Sequence, residues 1–368
     1  MDETTTTALA QALAARIASE GPLALSAYMA ACLGDAGHGY YRTQQAIGAA
    51  GDFITAPEIS QVFGEIVGLW SAVAWQGLGE PERWRLIELG PGRGTLMQDA
   101  LRAMKVLPAA LAGLEVVLVE ANPRLADEQR RRLASGTCPV SWRTALAPLP
   151  GDLPAVIVAN EFLDALPIDQ LWRTDTGWHM RTVALAPDGR LQFASRPADA
   201  ALAARAVASV ARHEREPRPG EIVEVRDLSP LLAALAPLTV GSLTCLFIDY
   251  GHDRAGYGDT LQAVRRHAYE PPLAHPGQAD LSAPVDFAAT AADLASLSLT
   301  PSASLPQGVF LGRLGAVERA SRLMAASPTA AAGIEAAVHR LMAPSGMGGR
   351  FRALAAWSGR RPPPPPFT

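Results

Sequence analysis

The stretch Arg85-Leu86-Ile87-Glu88-Leu89-Gly90-Pro91-Gly92-Arg93-Gly94-Thr95 decides how this chain folds. An apolar strand over 85–89 runs straight into three glycines at alternate positions, and a helix is predicted over 94–105. A turn this tight needs glycine, because the backbone must bend sharply and leave room for a ligand to approach. The spacing is G-x-G-x-G, whereas dinucleotide binders carry G-x-G-x-x-G and seat a pyrophosphate on the helix N-terminus. S-adenosylmethionine has no phosphate. Its carboxylate can use the same N–H groups, and Glu88 or another acid its cationic amino group. Glu88, Gly90, Gly92, Gly94 and Thr95 are therefore candidate cofactor residues, with a ligand-free strand–helix turn as the competing reading.

Outward from this turn, strands and helices alternate. Residues 115–120 read as a strand, 124–133 as a charged helix, 139–142 as a third strand, and 155–159 as an apolar run buried on both faces. This is the pattern of a doubly wound α/β domain. Upstream, 8–34 reads as helix with a break at Gly21-Pro22, and 59–78 as a further helix. The middle differs: 169–185 and 190–194 read as strands joined by the turn Pro187-Asp188-Gly189, followed by a helix over 198–211 and an extended run over 221–225. That predicts an antiparallel α+β insertion. The expected division is a helical N-terminal segment over 1–80, a core over 81–165 and 241–360, an insertion over 166–240, and a proline-rich tail over 361–368, extended and disordered.

Three further strand ends carry polar groups suited to chemistry. Glu120 closes the second strand, where a carboxylate can accept both hydroxyls of a ribose. It lies 30 residues beyond Gly90, against roughly 20 in dinucleotide folds, and a loop over 106–113 accounts for the excess. Asn160, Glu161 and Asp164 follow the most buried strand, at the edge where open α/β sheets bind ligands. Two carboxylates beside a methyl donor suit a cationic or amine acceptor and can hold a guanidinium through paired hydrogen bonds. The same residues also read as a helix cap. After the strand over 243–249 comes Asp249-Tyr250-Gly251-His252, in which His252 can take a proton near neutrality, or serve as a turn residue. Asp52, Thr55 and Glu58 lie upstream of the core, and on pattern alone they form a capped turn.

Composition narrows the classes. The net charge is −4 over 368 residues, unlike a nucleic-acid-binding domain, and Lys105 is the only lysine. Cys32, Cys138 and Cys245 form no pair in sequence, which fits a reducing compartment. No zinc motif is present, so no metal is expected. The uncharged run over 228–248 is interrupted by Pro230, Pro237 and Gly241, and reads as helix, turn and buried strand rather than a membrane span. The opening residues carry Asp2 and Glu3 and show no signal-peptide pattern.

Taken in order, Gly51-Asp52-Phe53-Ile54-Thr55-Ala56-Pro57-Glu58-Ile59-Ser60-Gln61, then 88–95, 160–167 and 249–252 resemble the MidA family. These are the bacterial relatives of the mitochondrial complex I assembly-factor methyltransferase. Gly258-Asp259-Thr260-Leu261 with His267, the run 277–282 with Val285-Asp286-Phe287, and Met347-Gly348 add to the resemblance. It implies a class I methyltransferase fold, a seven-stranded Rossmann-like sheet with insertions. It also implies S-adenosyl-L-methionine as donor and a protein arginine as acceptor, in the mitochondrial branch a complex I subunit modified to symmetric dimethylarginine. Gly90, Gly92 and Gly94 carry over as the cofactor turn, Glu120 as the ribose ligand, and Asn160 and Glu161 as the strand-end site. Asp52, Phe53 and Glu58 carry over as a segment folding over the cofactor. Glu161, Asp164 and His252 are then the candidate catalytic residues, in an expected bacterial cytoplasmic enzyme with no nucleic-acid partner. Methylation of a small molecule or another amine remains open, as does a cofactor-binding assembly factor without essential catalysis.

Overall fold

The computed structural model describes residues 7–43, 54–136, 138–145, 147–148, 152–254 and 256–367. Asp52 and Phe53 lie outside the described residues. The chain forms two compact units: Ile54–Leu163, Leu228–Asp253 and Thr290–Thr368 make one, while Met1–Phe53, Asp164–Asp227 and Arg254–Ala289 make the other.

The first unit is built on a twisted sheet. Its strands are β1 Trp84–Leu89, β2 Leu114–Val119, β3 Val140–Arg143, β4 Ala155–Asn160, β5 Leu243–His252, β6 Leu299–Pro301 and β7 Phe351–Ser358. They lie in the order β3-β2-β1-β4-β5-β7-β6. The first five pair in parallel, and β7 is antiparallel to both of its neighbours. Every residue of β1 and β4 is buried, which explains the unbroken apolar run 155–159 of β4; in β1 the buried run is interrupted by Arg85 and Glu88. The strand order reverses between β1 and β4, and such a switch point opens a crevice at the carboxyl ends of the strands.

Three helices bear on that crevice: α1 Gln61–Gly77, α2 Thr95–Ala103 and α3 Pro123–Leu133. Helix α1 presents Phe63, Ile66, Val67 and Trp70 to the core that also buries Leu86, Val156, Val158 and Leu246 from the sheet. It approaches α2 closely because position 68 is glycine; a Cβ there would meet Ala100 Cα at 2.4 Å. Helix α3 begins as the sequence dictates, with Asn122 Oδ1 accepting the Arg124 N–H at 2.9 Å and Pro123 in the first turn.

The second unit has an antiparallel sheet of Leu23–Ala24, Gly177–Leu185, Ile168–Thr174 and Val223–Arg226, with Leu191–Pro197 paired to Gly177–Leu185. Helix Ala200–Val210 packs on it through Leu202, Ala206 and Val210. The run expected as continuous over 169–185 is in fact a hairpin. Its turn falls at Asp175-Thr176, where Thr174 Oγ1 accepts the Thr176 N–H and Gly177 has φ 121°.

The units cut the chain differently from the expected division. Residues 54–80 join the core because α1 packs on it. Residues 254–289 leave it, because Ala263, Leu281 and Ala283 pack instead with Leu25, Tyr28 and Met29 of the N-terminal helices. The uncharged run beyond Leu228 is a helix Ser229–Leu235, a short 3₁₀ turn and β5. Among the described residues no helix is long and apolar enough to cross a membrane.

The C-terminal tail is not a disordered end. Pro366 is buried, Phe367 lies 5.8 Å from the ring of Phe310, and Arg313 Nη1 donates to the Pro366 carbonyl at 3.2 Å. Composition suggested an extended end, but one terminal aromatic side chain supplies enough apolar contact to dock it. Phe367→Ala is expected to destabilise the core unit by about 1–2 kcal/mol, read as a lower urea midpoint. An unchanged midpoint would show that the docking contributes nothing.

Candidate active site

The glycine turn leaves β1 at the switch point. Gly90, Gly92 and Gly94 have φ values of 65°, 53° and 79°, all in the left-handed region that a side chain makes unfavourable. At Gly90 a Cβ would also stand 3.1 Å from the Phe162 ring. The turn closes with the Gly94 N–H donating to the Pro91 carbonyl at 2.8 Å. Helix α2 then starts at Thr95, with Gly94 at its N-cap and no side-chain cap.

Glu88 is 3% exposed, and its Oε2 has no hydrogen-bond partner among the described residues. Burial pushes its carboxyl up to about 8, and the nearby charge of Glu120 adds to the shift. Glu120 accepts the Asn122 N–H on Oε1 at 2.7 Å and the Gln129 amide on Oε2 at 3.2 Å.

Across the crevice, β4 ends in Asn160. Its Nδ2 donates to Glu161 Oε1 at 3.2 Å, and its Oδ1 is buried without a partner among the described residues. Glu161 has φ 51°, a left-handed conformation unusual for a residue with a Cβ. Its Oε1 also accepts the Ala56 N–H at 2.9 Å. The chain beyond it is held by Asp249, whose Oδ2 accepts the N–H groups of Phe162 at 3.1 Å and Leu163 at 2.8 Å. His252 ends β5, with Nδ1 buried and unpartnered among the described residues.

Two other expected residues have partners of their own. Glu58 and Thr95 bond to each other, and Glu58 also pairs with Arg93 at 3.0 Å. Glu58 thus clasps the segment Ala56–Ile59 to the glycine turn. Asp164 begins the second unit. Its carboxyl is pushed up by burial there, and the charge of Arg226 opposes the shift.

Sequence reasoning missed Gln129, Arg93 and the anchoring role of Asp249. Gln129 is fully buried; its Nε2 donates to the Gly92 carbonyl at 2.6 Å as well as to Glu120, and its Oε1 accepts the Trp142 indole N–H at 2.9 Å. Nothing in a helix rich in Arg and Glu marks one Gln as the residue that joins the turn to the strand-end acid. Arg93 bridges Glu58 and Glu128, at 3.0 and 2.8 Å.

A nine-stranded sheet with seven strands on its main path in this order, a glycine turn at its switch point and an acid ending the next strand define a class I methyltransferase. A family model for S-adenosyl-L-methionine-dependent methyltransferases, Methyltransf_28, matches residues 66–301, and the chain belongs to that family. It is 33% identical to the Drosophila melanogaster protein arginine methyltransferase NDUFAF7 homolog, mitochondrial, over 95% of this chain and 85% of that one. The Homo sapiens protein arginine methyltransferase NDUFAF7, mitochondrial, is 32% identical over 92% of this chain and 81% of its own. A crystal structure from Burkholderia thailandensis bound to S-adenosyl-homocysteine superimposes with a TM-score of 0.83. It is 29% identical, and the match covers 96% of this chain and 92% of that one.

The chain is an S-adenosyl-L-methionine-dependent methyltransferase, and its own groups fit the donor. Glu88 Oε2 is buried without a partner among the described residues and could accept from a cation or hydroxyl, and Glu120 would place a second carboxylate at the end of β2 for the ribose hydroxyls. The raised pKa of Glu88 has a consequence for the cofactor-free protein. An ordinary Glu titrates near ~4.3 when unfolded, so the folded state holds the extra proton from there up to about 8. Stability from this group is therefore complete below the unfolded pKa and declines as pH rises through that window. Glu88→Gln is expected to gain on the parent by up to about 1.4 kcal/mol per pH unit between pH 5 and 8 in urea denaturation. A pH-independent difference would show that Glu88 ionises normally.

Proposed function

We propose that the acceptor is a protein arginine, methylated at the corner formed by Asn160 and Glu161. When bound, S-adenosyl-L-methionine supplies the methyl group. Glu161 orients the guanidinium and localises its charge through charge-assisted hydrogen bonds. The nitrogen that gains the methyl loses a proton, and His252 Nδ1 accepts it. Gln129, Asp249 and Arg93 act as positioning residues, holding the turn and the strand ends at fixed separation.

The observation that carries this reading is the left-handed backbone of Glu161, directly after the central strand. Such a conformation in a non-glycine residue costs about 1–3 kcal/mol and persists where the surroundings enforce it. The relatives named protein arginine methyltransferases support the choice of acceptor. The resemblance to their mitochondrial branch extends the proposal to symmetric dimethylation and to a respiratory complex I subunit as substrate.

The test is Glu161→Gln, assayed with labelled cofactor and substrate protein, with modified residues read by mass spectrometry. Transfer is expected to fall about 100-fold or more while cofactor affinity stays near that of the parent. Undiminished transfer removes Glu161 from the mechanism, and label on residues other than arginine overturns the acceptor.

A further inference from the structure

A second cleft lies in the core unit away from the strand-end crevice. It has a volume of about 210 Å³, and Val73, Ala74 and Gly77 of α1, Trp357 of β7, and the tail from Arg361 to Pro365 line it. An engineered apolar cavity of roughly 150 Å³ is enough to take up benzene.

Its one charged lining residue is Arg361. The guanidinium donates only to uncharged oxygens: Nε to Ser358 O, Nη1 to Gly77 O, and Nη2 to Leu243 O and Ser358 O, at 2.7–3.2 Å, with a longer 3.4 Å contact from Nη2 to Ser358 Oγ. No carboxylate among the described residues pairs with it, although fifteen other arginines among them have acidic partners within 4.0 Å. Burial lowers its pKa, with no acid to oppose the shift. The second hydrogen on Nη1 is uncommitted among the described residues, since arginine carries five N–H donors. A partly buried cation without an anion is unfavourable, and small-molecule sites combine an apolar lining with a few such polar groups.

We infer that this cleft binds a medium-chain carboxylate, its chain against Val73, Gly77, Trp357 and the prolines and its carboxylate on Arg361. The occupant is an apolar anion because apolar surface and an unpaired guanidinium meet in one cleft. This site is independent of the methyl-transfer reading.

The test titrates full-length protein with octanoate and, separately, with octanol, following the Trp357 indole N–H by ¹H–¹⁵N spectroscopy. Octanoate is expected to shift that signal saturably at millimolar concentration and to bind about tenfold more tightly than octanol. Arg361→Gln should erase the preference. Because Arg361 also anchors the tail, Gly77→Leu serves as the second variant: Gly77 lines the cleft and a Cβ there meets nothing within 4 Å, so the substitution adds bulk at the lining without a clash. It should abolish binding of both probes. No saturable shift with octanoate, equal affinity for octanol, or undiminished binding to Gly77→Leu would each overturn the inference.

Discussion

The carboxylate of Asp249 is completely buried, and what it bonds to fixes the geometry of the site. A charge removed from water is tolerated only when hydrogen bonds surround it. Asp249 meets that requirement with backbone N–H groups, from Phe162 and Leu163 on one oxygen and from Tyr250 at 2.9 Å on the other. Those bonds join the end of β5 to the chain leaving β4. The Glu161 N–H donates to the Ile248 carbonyl at 2.8 Å, so the backbone is gripped on both sides of that residue. The left-handed Glu161 lies between these anchors.

Gln129 does for the donor side what Asp249 does for the acceptor side. One amide reaches the Gly92 carbonyl, the Glu120 carboxylate and, through its oxygen, Trp142. The glycine turn, the end of β2 and β3 are therefore tied through a single buried side chain. Arg93 adds an outer brace, reaching Glu128 of α3 and Glu58 of the upstream segment. A glycine-rich turn has little stiffness of its own, and these contacts come from elements that follow or precede it by more than thirty residues.

This division explains what the sequence made legible. The parallel strands β4 and β5 were readable because burial on both faces favours apolar runs, and Gly90, Gly92 and Gly94 because φ above zero favours glycine. Strand-end acids stood out because carboxylates seldom follow such runs. Gln129 was not legible, since its role arises from where α3 packs and not from any local pattern. Glu58 looked like a capping residue or a lid residue, but only the fold brings it to Arg93 and Thr95. The tail misled because a proline run reports its own conformation and not what Phe367 will touch.

Three of the eight buried side-chain atoms left without a partner among the described residues share one location. Glu88, Asn160 and His252 each carry a buried atom without a partner among the described residues, and they stand at the carboxyl ends of β1, β4 and β5, three strands that are neighbours in the sheet. Each such atom costs about 1–3 kcal/mol, and a fold selected for stability alone would have removed them. The supporting residues show the opposite condition: Asp249, Gln129 and Arg93 have their hydrogen bonds made within the protein. Incomplete groups at the edge, held by complete groups behind them, describe a site organised before its ligands arrive. The binding energy of those ligands then goes into satisfying fixed groups and not into building the site.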